Sequence, residues 1–307
     1  MTHDPVDPEA IDFPRELETV VDGLHQARLD WRAAHARHAE QGIHFPSRQA
    51  LERILRELGA ALFPLRLGPR ELHAGNENAF VAATLESILS QLGAQIALEI
   101  QLREPDGDAA ARLAEQMIGA FAARLPAIRR LVDSDVEAGY ENDPAALSVD
   151  EVLLCYPSVL AVIHHRLAHA LHRLGAPVVA RIISEIAHTQ TGIDIHPGAS
   201  IGPAFFIDHG TGVVIGETSV VGARVRLYQG VTLGGEPFGE GEARAADPGR
   251  RRHPHVEDDV VIFAGTVIIG AVTIGAGSRI AGNVWLRDDV PPGSLVEPPL
   301  PIVRPWN

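Results

Sequence analysis

Two hydrophobic periods divide the chain. Before about residue 190, apolar residues recur at helical spacing. One such segment is Ala50, Leu51, Ile54, Leu55 and Leu58; another is Phe80, Ala83, Leu85, Ile88, Leu89 and Leu92, with Ile96 beyond. Pro157 suits the first turn of a helix running to about Leu174, where Gly175 can end it, and Pro177 opens another to about Thr189. The first 40 residues read as a polar arm with one weakly amphipathic helix. From residue 191 a period of six takes over. Ile195, Ile201, Ile207, Val213, Ser219, Val225 and Val231 follow it, with Ser219 the lapse. The count breaks in the Gly-, Arg- and Glu-rich stretch 234–255 and resumes at Val256, Ile262, Ile268, Ile274, Ile280 and Leu286.

A six-residue period predicts a parallel β-helix. Each hexad makes one short flat side with its aliphatic residue inward, and three sides close a coil of about 18 residues. Coils stack at strand spacing, roughly 4.8 Å. Gly202, Gly216, Gly222, Gly270, Gly275 and Gly277 lie between the inward positions, where tight corners need small residues. The expected architecture is therefore α+β. An α-helical domain with its polar arm spans 1–190. A β-helix domain spans 191–307, with 234–255 as a loop leaving the prism; a long loop inside a compact repeat is more often functional than not. The helical half is expected to cap the first coil. Asp194 and His209 are expected to share one face, a coil apart.

Composition narrows the function classes. The 307 residues carry 26 basic and 40 acidic side chains, a formal charge of −14, which argues against nucleic acid as the main partner. An anionic ligand then needs a local basic site, and Arg250, Arg251 and Arg252 offer one. The single cysteine, Cys155, allows no intrachain disulfide, so a reducing, cytoplasmic setting is expected. The first 20 residues are acidic and polar rather than basic then apolar, so no secretory leader is expected. No apolar run reaches about 18 residues, so no membrane span is expected either.

Specific motifs stand on this frame. Residues 191–235, TGIDIHPGASIGPAFFIDHGTGVVIGETSVVGARVRLYQGVTLGG, closely resemble the core of bacterial and plant serine acetyltransferases. So do Arg252-His253-Pro254, Gly282-Asn283-Val284-Trp285 and Val290-Pro291-Pro292-Gly293, and the stretch from Asp143-Pro144 to Arg166-Leu167-Ala168-His169. The resemblance covers about residues 143–300; residues 1–140 match less clearly. Hexapeptide repeats alone are shared by many acyltransferases, whereas Asp-Ile-His-Pro followed by Asp-His-Gly-Thr-Gly is far more specific. The resemblance implies left-handed winding, against the usual right-handed crossover preference. It also implies transfer of acetyl from acetyl-CoA to the hydroxyl of L-serine, giving O-acetyl-L-serine and CoA, the first step of cysteine biosynthesis.

Such a transfer needs a base for the hydroxyl proton, a holder for the amino acid's two charges and a groove for CoA. By resemblance His209 is the base; imidazole's ordinary pKa, about 6.5, lets it accept a proton near neutrality. Asp194 is implied as the orienter of that base, although spacing alone does not show whether its carboxylate reaches the ring. Asp143 and Asp208 resemble the carboxylates that hold serine's ammonium. Arg252 and His253 resemble the residues that receive its carboxylate, which an arginine fork matches in a bidentate way. Gly234, Gly235 and Ala264 fall where the family lays the pantetheine arm of acetyl-CoA, a co-substrate rather than a permanently bound cofactor. Arg250, Arg251 and Arg279 are basic enough to meet the CoA phosphates, a reading from composition alone.

Other readings stay open at this level. A sugar- or homoserine-specific hexapeptide acyltransferase would keep the prism and a histidine base without Asp143, Asp208 and Arg252 together. A γ-carbonic-anhydrase-like metalloenzyme would use His209, His253 and His255 as ligands. An inactive scaffold would not need both His209 and Asp194. His165, His169 and His172, at i, i+4 and i+7 beside His164, have a spacing that could bind zinc, but no nearby carboxylate or cysteine completes a site, and no metal is expected. The resemblance further implies a homotrimer or dimer of trimers with the acceptor site between prisms, and inhibition by L-cysteine. Family members that bind O-acetylserine sulfhydrylase often do so with a tail ending in isoleucine; here Pro305-Trp306-Asn307 makes that complex doubtful.

Overall fold

A computed structural model describes residues 13–34, 44–104, 106–236 and 250–298. Most of the 234–255 loop (237–249) and the 299–307 tail lie outside the described residues. Helix α1 (Phe13–Ala34) belongs to a unit of residues 1–44, and residues 45–307 make a second unit.

In the second unit, α2 (Arg48–Leu62), α3 (Pro64–Leu67), α4 (Glu77–Gln101), α5 (Gly107–Ala122), α6 (Leu125–Asn142), α7 (Val149–Cys155), α8 (Pro157–Leu174) and α9 (Pro177–Thr191) follow in order. Local signals set their ends. Ser47 caps α2 by accepting from the Ala50 N–H at 3.3 Å, and Asp106 caps α5 through Asp108 and Ala109 at 2.9 and 3.2 Å. Gly175 ends α8 at φ +100°. The start of α9 is capped from a distance: buried Glu99 accepts from the N–H groups of Val178 and Val179 at 3.0 and 2.7 Å.

Helix α4 corrects one expectation, because by length and composition it is apolar enough to cross a membrane. Its Ile88, Leu92, Ile96 and Ile100 are nonetheless buried in a core shared with Leu51, Leu55 and Leu58 of α2 and Ala114, Met117 and Phe121 of α5, as in a packed helix.

Among the described residues fourteen short strands follow, stacked into three parallel sheets. Face A holds β1 (Asp194–Ile195), β4 (Val214–Ile215), β7 (Thr232–Gly234), β10 (Val267–Ile269) and β13 (Trp285–Leu286). Face B holds β2 (Ser200–Ile201), β5 (Val220–Val221), β8 (His255–Val256) and β11 (Thr273–Ile274). Face C holds β3 (Phe206–Asp208), β6 (Arg226–Tyr228), β9 (Val261–Ile262), β12 (Arg279–Ile280) and β14 (Leu295–Val296). The result is a left-handed parallel β-helix. Inside it, Ile195, Ile215, Leu233 and Ile268 stack in one buried column of face A.

The register departs from the count of six. Asp194 pairs with Val214 and Val214 with Thr232, steps of 20 and then 18. The first coil therefore carries two extra residues, and they fall in the corner after β3, around His209 to Gly212. Beyond it the strand positions are Ile215, Val221, Leu227 and Leu233, not Val213, Ser219, Val225 and Val231. The sequence count slips unnoticed because each hexad has two inward positions two residues apart, and Val213, Val225 and Val231 are buried as well. Ser219, the lapse, belongs to this second column.

The helices close the first coil. Ala161 and Val162 of α8 are buried in the prism's own core cluster. Buried Arg166 pairs with Asp135 of α6 at 2.9 Å and donates to the carbonyls of Ile201 and Gly202, while Asp135 accepts from the Phe205 N–H at 2.9 Å.

Candidate active site

The extra residues of the first coil build a left-handed corner between faces C and A. His209 sits there at φ +59°, uncommon for a residue with a side chain. Gly210 follows at φ +92°, where a Cβ would come within 2.5 Å of Ile193 Cδ1. The chain therefore turns tightly and presents the imidazole outward, with 72% of its side-chain surface exposed.

Carboxylates gather round it. Asp208, at the end of β3, places Oδ1 3.8 Å from His209 Nε2, and its Oδ2 accepts from Arg226. Asp143 arrives from the C-terminus of α6. Its carboxylate accepts from the Tyr156 hydroxyl and from the Ala145 N–H at 2.8 Å. Those two hydrogen bonds hold Asp143 below the usual carboxylate range, with the charges of Arg226 and His209 adding to them. The same Asp143 contact pushes Tyr156 up to about 12. Ala264 lies on this C–A edge as well, where its carbonyl accepts from the Asn283 N–H at 2.9 Å.

The other edge of face A, toward face B, holds a second group. The ring of His253 fills the space left by Gly216 and Gly235; a Cβ on Gly216 would lie 2.0 Å from Cδ2 and Nε2. His253 is buried, and its Nδ1 accepts from the Thr218 N–H at 3.2 Å and lies 2.8 Å from the Thr218 hydroxyl. An N–H donor at Nδ1 leaves the proton on Nε2. Burial, with the Arg252 charge beside it, lowers the pKa of His253 to about 4, so the ring is a neutral donor near pH 7. Arg252 Nη2 meets Glu217 Oε2 at 3.1 Å. Partial burial raises the Glu217 pKa, but the Arg252 hydrogen bond and the charge of His196 outweigh it and the net shift is downward.

The candidate residues thus divide between two edges. Asp143, Asp208, His209 and Ala264 occupy the C–A edge, while Gly234, Gly235, Arg252 and His253 lie toward the A–B edge. Asp194 corrects the single-face expectation. It stands on β1 of face A opposite Val214, whereas His209, only 15 residues on and so short of the 20-residue first coil, lies in the corner leading from face C. The Asp194 N–H donates to the Val213 carbonyl at 2.9 Å, and no described hydrogen bond or ion pair joins its carboxylate to His209.

The histidines of α8 do not converge. His169 Nδ1 lies 2.9 Å from the Pro197 carbonyl, and His172 faces His196 at 6.0 Å between ring centres. Among the described residues no group of three or more His, Cys, Asp or Glu is arranged to hold a metal. His209, His253 and His255 lie at the C–A corner, the A–B corner and face B respectively.

Sequence reasoning missed Tyr156, Arg226, Glu217 and Thr218. Arg226 had no usable signal, since the 20-residue step that sets it one coil after Phe206 departs from the regular count of 18. Tyr156 had none, because its contact with Asp143 spans a turn and a helix.

Comparison with models of known protein families finds no match. Individual proteins do match. A plasmid serine acetyltransferase of Synechococcus elongatus is 48% identical over 287 residues, 91% of this chain and 90% of that protein. The crystal structure of serine acetyltransferase isoform 3 from Entamoeba histolytica, in complex with cysteine, superposes with a TM-score of 0.69 at 35% identity, over 82% of this chain and 84% of that one. Serine acetyltransferase from Neisseria gonorrhoeae, in complex with serine, gives 0.51 at 29% identity, over 80% and 93%. Fold and site define an acyltransferase built on a left-handed β-helix of hexapeptide repeats. The chain belongs to the serine acetyltransferase family.

Proposed function

We propose that this chain transfers acetyl from acetyl-CoA to L-serine at a site built from two copies, the C–A edge of one prism facing the A–B edge of the next in a trimer or dimer of trimers. The observation that carries the proposal is the division of the candidate residues between those edges, since neither edge alone offers both a base and a receptor for a carboxylate. Asp143 and Asp208 receive the ammonium of serine. The Arg252 fork and the Nε2–H of His253 receive its carboxylate. His209 takes the hydroxyl proton as the serine oxygen attacks the thioester carbonyl, with Asp194 as its orienter. The tetrahedral intermediate then collapses, the C–S bond breaks, and the imidazolium returns the proton to the departing sulfur. The pantetheine arm lies along the backbone at Gly234, Gly235 and Ala264, with the side-chain space at Gly234 and Gly235 already taken by Ile269 and His253.

Cysteine carries the same ammonium and carboxylate, so L-cysteine competes with serine in this reading. The Entamoeba protein, crystallised with cysteine, supports it. The decisive experiment is CoA thiol release over a panel of acceptors: serine, homoserine and glucosamine phosphates. Serine is expected to be preferred by at least about tenfold, and a preference for either alternative would overturn the assignment.

A further inference from the structure

Asp208 has one oxygen facing His209 and the other tied down, and the group that ties it is Arg226. This arginine stands on the outward column of face C, opposite Phe206 in the coil below and Val261 in the coil above. Its guanidinium lies 5.5 Å from the Phe206 ring centre and 4.6 Å from that of Tyr228, and Tyr228 is stacked on Phe263 at 5.1 Å. Two aromatic rings therefore fix the plane of the fork, and only 19% of the side chain is exposed. Among the described residues its Nε is buried without a hydrogen-bond partner, and the guanidinium's described hydrogen bond is to the Asp208 carboxylate at its end.

We propose that Arg226 is a positioning residue for acetyl transfer, holding the Asp208 carboxylate so that one oxygen stays directed at His209 and the incoming ammonium. The charged and titratable groups around His209 among the described contacts are Asp208 on β3 and Asp143 after α6, with Tyr156 before α8 bonded to Asp143 and Arg226 on β6 bonded to Asp208. Asp143 is already held by Tyr156 and Ala145. Arg226 does for Asp208 what those two do for Asp143. It also offsets one of the two carboxylates that meet the ammonium, so that pair and Arg226 together carry one net negative charge for one arriving positive charge. Without Arg226, Asp208 is free to rotate and its whole charge acts on His209. An uncompensated carboxylate favours the protonated imidazole, so the base is lost at a higher pH than before.

The inference rests on His209 being the base, and the experiment separates the two. In the full chain, Arg226→Gln is expected to lower kcat about tenfold and to move the acid limb of the kcat/KM profile upward by about half to one pH unit. Arg226→Lys, which keeps the charge but not the fork, should leave the acid limb in place with kcat lowered severalfold. In an Asp208→Asn background, Arg226→Gln should move the acid limb no further. An acid limb unmoved by Arg226→Gln, with His209→Ala inactive, overturns the proposal alone. Near-normal turnover in His209→Ala overturns the underlying reading and this inference with it. Should Arg226→Gln fail to fold, Arg226→Lys carries the test, and a wild-type kcat there overturns the need for a fixed fork.

Discussion

The two edges of face A each carry a histidine, and the two histidines are in opposite states. His209 is exposed on a left-handed corner beside carboxylates. His253 is buried over two glycines, its tautomer set by Thr218 and its charged form disfavoured down to about pH 4. A group that must take and return a proton needs solvent or substrate at its nitrogen. A group that must present one N–H in a fixed direction does better dry and neutral. Residue type alone does not distinguish these roles; the backbone around each ring does. At His209 the coil is lengthened to push the ring out, and at His253 side chains are removed from Gly216 and Gly235 to let the ring in.

This contrast can be broken in three ways. The largest effect is expected from His209→Asn, which should lower turnover by roughly 10²–10⁴-fold in a thiol-release assay while CoA binding, followed by calorimetry, changes little. A loss of CoA affinity with turnover preserved would reverse the roles of the edges. Next, Arg252→Ala should raise the KM for serine by about 10- to 100-fold, the cost of a charged hydrogen bond, with a much smaller change in kcat. A kcat collapse at unchanged KM would move the A–B edge from binding into chemistry. The smallest and most diagnostic effect comes from mixing. His209→Asn and Arg252→Ala chains, co-expressed one to one, should regain about a quarter of wild-type activity, because random assortment pairs an intact C–A edge with an intact A–B edge at that frequency. Mixtures no more active than the separate variants would mean that each copy works alone.

Much of this was legible in the sequence, for physical reasons that also mark where reading stops. The helix from Pro157 to Leu174 could be bounded because proline and glycine impose their backbone angles locally. The prism could be recognised because its stacking repeats the same inward demand every six residues. The register could not, since two inward columns made a two-residue slip invisible to an aliphatic count. Asp194 and His209, 15 residues apart, are less than one coil apart on either count and so do not share a face. His209, Asp208 and Asp143 stood out through family motifs. Arg226 and Tyr156 did not, because their importance lies in what stacking and helix packing bring beside them. The same holds for α4, whose apolar length looks alike in sequence whether neighbours cover it or not.

The contact between Arg166 and the first coil has a consequence beyond holding two regions together. A solenoid of parallel strands ends in open backbone, and an open strand edge is a template on which another chain can stack. Ile201 directs its carbonyl away from the second coil, since the flanking N–H groups of Ser200 and Gly202 are the ones that bond to that coil. Arg166 occupies that oxygen and the neighbouring one on Gly202. Asp135 keeps the guanidinium in place, and Ala161 and Val162 plug the hollow beneath. The helices thus act as a stopper at the first coil, denying another chain that end as a template.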